Sequence, residues 1–435
     1  MTNKKQHTVT HCKLRNGIEG LFINIPDSTV MAMQFNFRAG HYLAQPGKWE
    51  TPHVMEHLSL GANKKYRKAR LFEAELRKNG AYTNASTSNY SVTYEAECAD
   101  FEWDRVTELM LTAISEPLFQ QEEFEAEVGN VKDELVSRSN NHFRTLAIAA
   151  ASEFGLLSLS DKKRVSQLKN INVDDIKRFY KKTHKTGNLR FVIAGKLYGR
   201  MNSIKTRLEN IPLDISDSRI DLPIEQPAKF NKPLLVKNLQ VPNLYFDVTS
   251  FHSGRFNDSD WDSASLVNNI LTETLYSKIL GEAREKGLVY HLSSNFEIIQ
   301  NYVAWSIGGQ IMHENLMPLL DIAVREIKNV QNGKITDDEM EAAKQYALGR
   351  FQLGAQTVYG VMQGYASRYF FEDKIDDYYA FPERIKAVKK EQLQDIMLKI
   401  FSDKIWGVAF LGSAEKELLN DVQQKLGPLW QQDQN

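Results

Sequence analysis

The chain has 435 residues, 42% of them hydrophobic and 25% charged, with 54 basic against 55 acidic side chains and a net charge of −1. This balance excludes collagenous, low-complexity and wholly disordered chains, and the length predicts roughly two to four folded domains. A charge so close to zero supplies no overall field to draw nucleic acid or an anionic membrane, so neither is expected as a partner.

The first seven residues carry two lysines but no apolar stretch or small-residue cleavage site, and so do not read as a secretory signal. No apolar run approaches the roughly 18 residues that span a bilayer. The longest, over 146–151, reads as the core of a helix. Cytoplasmic residence is the expectation. Cys12 and Cys98 lack the spacing of a zinc ribbon or a redox pair and read as ordinary thiols.

Residues 30–37 and 91–98 alternate apolar and polar positions and predict strands with one buried face. Helical periodicity follows over 101–115, 122–139 and 173–180, and then 189–195 is an apolar strand stopped by Gly195. A stretch with Pro212, Pro223, Pro227 and Pro233 and few periodic apolar positions reads as a linker. Beyond it come a strand over 244–249, helices over 264–280, 319–330, 337–353 and 391–400, and an apolar strand over 406–412 stopped by Gly412. Gly195 and Gly412 close the same helix-then-strand pattern 217 positions apart, about half the chain. Two homologous domains are therefore expected, 1–212 and 234–435, joined by a linker over 213–233. Helices and strands mix without regular short βαβ spacing, which predicts an α+β fold with a largely antiparallel sheet in each domain.

The sharpest signal is Thr51-Pro52-His53-Val54-Met55-Glu56-His57. Thr51 is expected to cap a helix whose first turn holds Pro52, where the missing N–H costs nothing. His53 and His57 then lie one turn apart on one face, so two imidazoles can reach a single metal ion. Glu56, three positions after His53, can reach water at that metal and take its proton, the order that inverted zinc peptidases use. With 10 histidines and 55 acidic residues, a chance His-x-x-acid-His arises about 0.03 times in such a chain, which favours metal binding over an ordinary helical pair.

A third ligand is required, and Glu127 and Glu134 stand seven apart on one face of the helix over 122–139. Glu122, Glu123, Glu125 and Asp133 lie nearby, and an acidic helix is commonly a solvated face, so spacing alone does not choose among them. The other eight histidines have no ligand-like spacing and read as surface or core side chains.

His53-Val54-Met55-Glu56-His57, the Glu127 and Glu134 pair, and Gly80-Ala81-Tyr82-Thr83-Asn84-Ala85-Ser86-Thr87 between them resemble the pitrilysin, or M16, family of zinc metallopeptidases. Arg15-Asn16-Gly17-Ile18 looks like that family's first strand turn, and the two-half plan resembles its tandem domains. The resemblance implies zinc held by His53, His57 and Glu134, the last standing 77 positions beyond His57. It implies a supporting role behind the ligands for Glu127, and it implies that Asn84 and Ala85 sit on an edge strand that holds extended substrate by main-chain pairing.

In the second half, Arg284-Glu285-Lys286-Gly287-Leu288-Val289-Tyr290 resembles the family's arginine–tyrosine segment, with a separation of six where many relatives have seven. It implies that Arg284 and Tyr290 contact substrate carbonyls. Leu58-Ser59-Leu60-Gly61-Ala62 also departs from the usual pattern, where many relatives carry a phenylalanine and a Gly-Thr pair. The activity implied is that of an endopeptidase acting on unfolded or short peptides inside a closed chamber formed by a homodimer, with zinc-activated water as nucleophile and Glu56 as general base. Two other readings are a non-catalytic, peptide-binding member of the family and a catalytic subunit that needs a different partner chain.

Overall fold

A computed structural model describes residues 6–299 and 301–431. The first half opens with strands β1 (Thr8–Lys13), β2 (Glu19–Asn24) and β3 (Val30–Phe37), then helices α1 (Thr51–Ser59) and α2 (Ala69–Arg77). Strands β4 (Tyr82–Thr87) and β5 (Val92–Ala99) precede helices α3 (Trp103–Ser115), α4 (Gln121–Arg138), α5 (His142–Glu153), α6 (Asp161–Gln167) and α7 (Val173–Thr183). Strand β6 (Leu189–Gly195) and helix α8 (Met201–Glu209) end this half. The second half runs β7 (Leu234–Lys237), β8 (Leu244–Ser253), α9 (Asp258–Asn268), α10 (Lys278–Glu285), β9 (Leu292–Ile299) and β10 (Tyr302–Ile311). It closes with α11 (His313–Gln331), α12 (Asp337–Gly354), α13 (Val358–Glu372), α14 (Phe381–Ala387), α15 (Lys390–Ser402), β11 (Ile405–Gly412) and α16 (Lys416–Leu426).

The architecture is α+β, with two sheets built on one plan. The first runs β1-β2-β6-β3-β5-β4 and the second β7-β11-β8-β10-β9. Each holds a single parallel pair, β2 with β6 and β7 with β11, and is otherwise antiparallel. The repeat seen in the sequence is an interior strand of each sheet, β6 and β11, the one that carries the parallel pairing. Gly195 and Gly412 end those strands at φ +147° and +141°, a region that L side chains avoid. A Cβ on Gly412 would also stand 2.8 Å from the Asn243 carbonyl oxygen.

β6 and β11 read as unbroken apolar runs because both of their faces are covered. In β6, Leu189, Phe191 and Ile193 join the core built on β3, α1 and α3, while Val192 and Ala194 meet Met362, Tyr365 and Tyr369 of α13. In β11, Trp406, Val408 and Phe410 face one core, and Ala409 and Leu411 meet Leu146, Ala150 and Phe154 from α5 and the turn after it. Each compact unit thus takes in a helix from the other half of the chain. One comprises 1–138, 161–223 and 354–379, and the other 139–160, 224–353 and 380–435.

Two local expectations are corrected. Thr51 is not the cap of α1 but its first helical residue, its hydroxyl turned to the Lys48 carbonyl, and Glu50 occupies the cap position. The helix expected over 264–280 breaks after α9. A π turn over 269–273 follows, and Ser277 then donates to the Asn269 carbonyl and accepts from the Thr274 N–H, polar side-chain bonds that divert the backbone from a continuous helix. Among the described residues, no helix is long and apolar enough to cross a membrane.

Candidate metal centre

The spacing of α1 divides its side chains cleanly. Val54, Met55 and Leu58 enter the core, so His53, Glu56 and His57 share the opposite side, facing β4 and α4. The helix is buried along nearly its whole length, and Glu56 is only 6% exposed.

Each imidazole is backed by a carboxylate. His53 Nδ1 lies 2.8 Å from Glu50 Oε2, and His57 Nδ1 lies 2.8 Å from Glu127 Oε2. A carboxylate only accepts, so each ring donates to it from Nδ1 and turns Nε2 inward. Both Nε2 atoms face Glu134 Oε2, at 3.2 Å from His53 and 3.6 Å from His57. Three atoms that can bind a metal, the two Nε2 nitrogens and Glu134 Oε2, therefore converge within 4.8 Å of one another, and in the metal-free protein the rings donate to Glu134. Two imidazole nitrogens and one carboxylate fit a divalent cation, and they are a set that catalytic zinc takes with a further position left open.

Protons compete for this place. Burial alone would lower His57, but its hydrogen bonds to Glu127 and Glu134 push it up to about 10. His53 is raised on the same balance, burial against hydrogen bonds to Glu134 and Glu50. Hydrogen bonds from both rings hold Glu134 far below the usual carboxylate range, and its other oxygen pairs with Arg138. Burial raises Glu56, partly offset by the two imidazoles and by a 2.6 Å hydrogen bond from Thr87 Oγ1 on β4. Glu56 is thus a carboxylate beside the cluster whose environment, unlike that of Glu134, favours carrying a proton.

The cluster lies in a cleft of about 460 Å³. Leu60, Phe72 and Leu76 supply its apolar wall, and Thr83, Asn84, Ala85, Ser86 and Thr87 of β4 run along it. β4 ends its sheet, with β5 on one side and a free edge on the other.

The description Insulinase (Peptidase family M16) fits residues 23–156, and Peptidase M16 inactive domain fits residues 170–346. The chain belongs to the M16 peptidase family. All of the converging ligand atoms of this M16 protein lie within the part matched by the insulinase model, none in the part matched by the inactive domain. The crystal structure of a protease from Helicobacter pylori shares its fold at a TM-score of 0.80 and 19% identity, over 94% of this chain and 100% of that one. A peptidase M16 inactive domain from Pseudomonas fluorescens gives 0.81 and 16%, over 94% and 98%. No curated protein matches.

The M16 chain brings His53, His57, Glu56, Glu127 and Glu134 into one cleft, with Asn84 and Ala85 on its wall. Asn84 reaches back to Glu95 at 3.4 Å. Arg284 and Tyr290 belong to the second unit and engage each other there, the guanidinium 4.6 Å above the phenol ring and donating to the Tyr290 carbonyl. Tyr290 is 86% exposed. Glu50, Thr87 and Arg164 also belong to the site, although no motif spacing gives them a role. Glu50 was open to discovery, three positions before His53 on the same helical face. Arg164, 114 positions from Glu50, carries no local signal.

Proposed function

We propose that the chain is a zinc-dependent endopeptidase that cuts extended peptides laid along β4. The observation that carries this reading is the convergence of His53 Nε2, His57 Nε2 and Glu134 Oε2, with the buried Glu56 beside them. His53, His57 and Glu134 would hold the metal, while Glu50 and Glu127 keep both imidazoles turned toward it. Zinc supplies Lewis acidity, polarising a carbonyl and acidifying water near neutral pH.

The remaining work falls to the chain. Thr87 occupies Glu56 Oε2, which leaves Oε1 to take the proton of the attacking water and return it to the leaving amine. The free edge of β4 offers main-chain groups to an extended substrate, and Leu60, Phe72 and Leu76 form an apolar wall for a side chain of it. Tyr290 and Arg284 present a phenol and a guanidinium suited to peptide carbonyls. Pairing through the main chain selects unfolded or short peptides, and the working form is proposed to be a cytoplasmic homodimer.

Glu56→Gln is expected to keep stoichiometric zinc and lose 100-fold or more of the cleavage of a quenched fluorescent peptide. A variant that cleaves at the wild-type rate overturns the role given to Glu56. Gel filtration with the same assay across the eluate tests the assembly: activity should emerge at twice the mass of the chain, and an inactive monomer revived by another protein would replace the homodimer with a heteromer.

A further inference from the structure

Glu50 stands at the cap position of α1, where a carboxylate ordinarily accepts a backbone N–H of the first turn. It does not do so here. Its side chain is wholly buried and turned instead to two other partners. One is His53 Nδ1 at 2.8 Å. The other is Arg164 of α6, whose Nε reaches Oε1 at 2.5 Å and whose terminal nitrogen reaches Oε2 at 3.1 Å, a bidentate pair. Arg164 is itself 7% exposed and spends another nitrogen on Asp161 at 3.3 Å.

Stability does not account for this arrangement. Dehydrating two ions costs about as much as their attraction returns, and apolar replacements of a buried pair are often neutral or stabilising. A guanidinium has only donors, so it fixes Glu50 as an acceptor toward His53 as well. A ring proton is thereby held on Nδ1, and Nε2 is kept on the side of Glu134. His57 has no counterpart of this device. Its carboxylate, Glu127, is about a quarter exposed and has Asn130 as its other partner.

We propose that Glu50 and Arg164 are positioning residues of the metal centre, locking the tautomer and orientation of His53 through a dry, charge-balanced pair. This rests on the zinc reading above. An ordered partner behind a ligating histidine is typically worth 10–100-fold in metal affinity, whereas a pair that served only the fold would leave the metal unmoved.

The test measures zinc affinity by chelator competition and the visible spectrum of the cobalt-loaded protein, for wild type, Glu50→Gln and Arg164→Met. Each variant is expected to bind zinc at least 10-fold more weakly, to shift the cobalt bands, and to combine non-additively with the other. A folded Glu50→Gln protein with wild-type affinity and unshifted bands overturns the proposal. Should a single variant fail to fold because a charge is left buried and unpaired, Glu50→Leu with Arg164→Met and Asp161→Asn removes all three charges: tenfold weakening supports the proposal and unchanged affinity overturns it. Wild-type protein that binds no zinc overturns the metal reading and this proposal together, whereas tight binding by both wild type and variants removes only the role given to Glu50 and Arg164.

Discussion

The protons held at the cluster make metal binding a pH-dependent exchange. His57 is pushed up to about 10 by Glu127 and Glu134, against the pull of burial, so in the metal-free protein its ring is protonated throughout the neutral range. A metal must displace that proton, and zinc affinity should rise about tenfold per pH unit for each proton released between pH 6 and 9. Chelator competition across this range measures the slope, calorimetry in buffers of different ionisation enthalpy counts the protons, and a flat profile would show that the two rings do not ligate. The residues behind this exchange were unequally visible in the sequence. His53, Glu56 and His57 stand within five positions, where helical periodicity alone places them on one side. Glu134 needed the family resemblance, because several acidic neighbours share its helix. Thr87 and Arg164 enter only when the chain folds back, and neither has a spacing that marks it.

Strands were more legible than the helices that cover them. β6 and β11 announce themselves as apolar runs because each is enclosed on both faces, and a buried strand has no polar positions to hide it. The helix behind β6 is harder to see. Its buried positions, Val361, Met362, Tyr365, Ala366 and Tyr369, keep helical spacing, but the two tyrosines together with Gly360 and Gly364 dilute the apolar stripe. Its contribution can be weighed at Met362, which is fully buried against the first sheet. Met362→Ala should cost about 2–5 kcal/mol in urea unfolding, from lost burial and the cavity left behind. Because α13 lies on the sheet face opposite α1, the folded variant should bind zinc as wild type does. Weakened zinc binding in folded Met362→Ala would mean that α13 also helps to shape the cleft.

At the scale of the whole chain, acid should separate the two units. His41 and His184 are buried in the first, His41 bonded to the Trp49 carbonyl, and His184 placed between the Tyr94 hydroxyl and Thr183. Burial lowers them to about 4 and about 3, below the 6.5 of the unfolded chain. Their stabilisation is complete above pH 6.5 and drains away as pH falls, because the unfolded chain takes up protons that the fold refuses. His7, buried in the same unit, is lowered by burial to about 4 as well, and three such groups give a slope of up to about 4.1 kcal/mol per pH unit. In metal-free protein the raised His53 and His57 do not disturb this window, since the stability they confer is already complete below 6.5. The second unit carries the opposite sign at Asp247, which burial pushes up to about 6, so that the fold binds a proton there before the unfolded chain does. Between pH 6.5 and 5 the metal-free first unit should therefore lose stability while the second holds. Hydrogen exchange followed by peptide mass, corrected for the intrinsic pH dependence of amide exchange, reads this directly: protection should fall in the peptides of β1 to β6 and α13 and persist in those of β8 to β11. Equal loss in both sets would mean that the exchanged helices α5 and α13 bind the units into one cooperative structure.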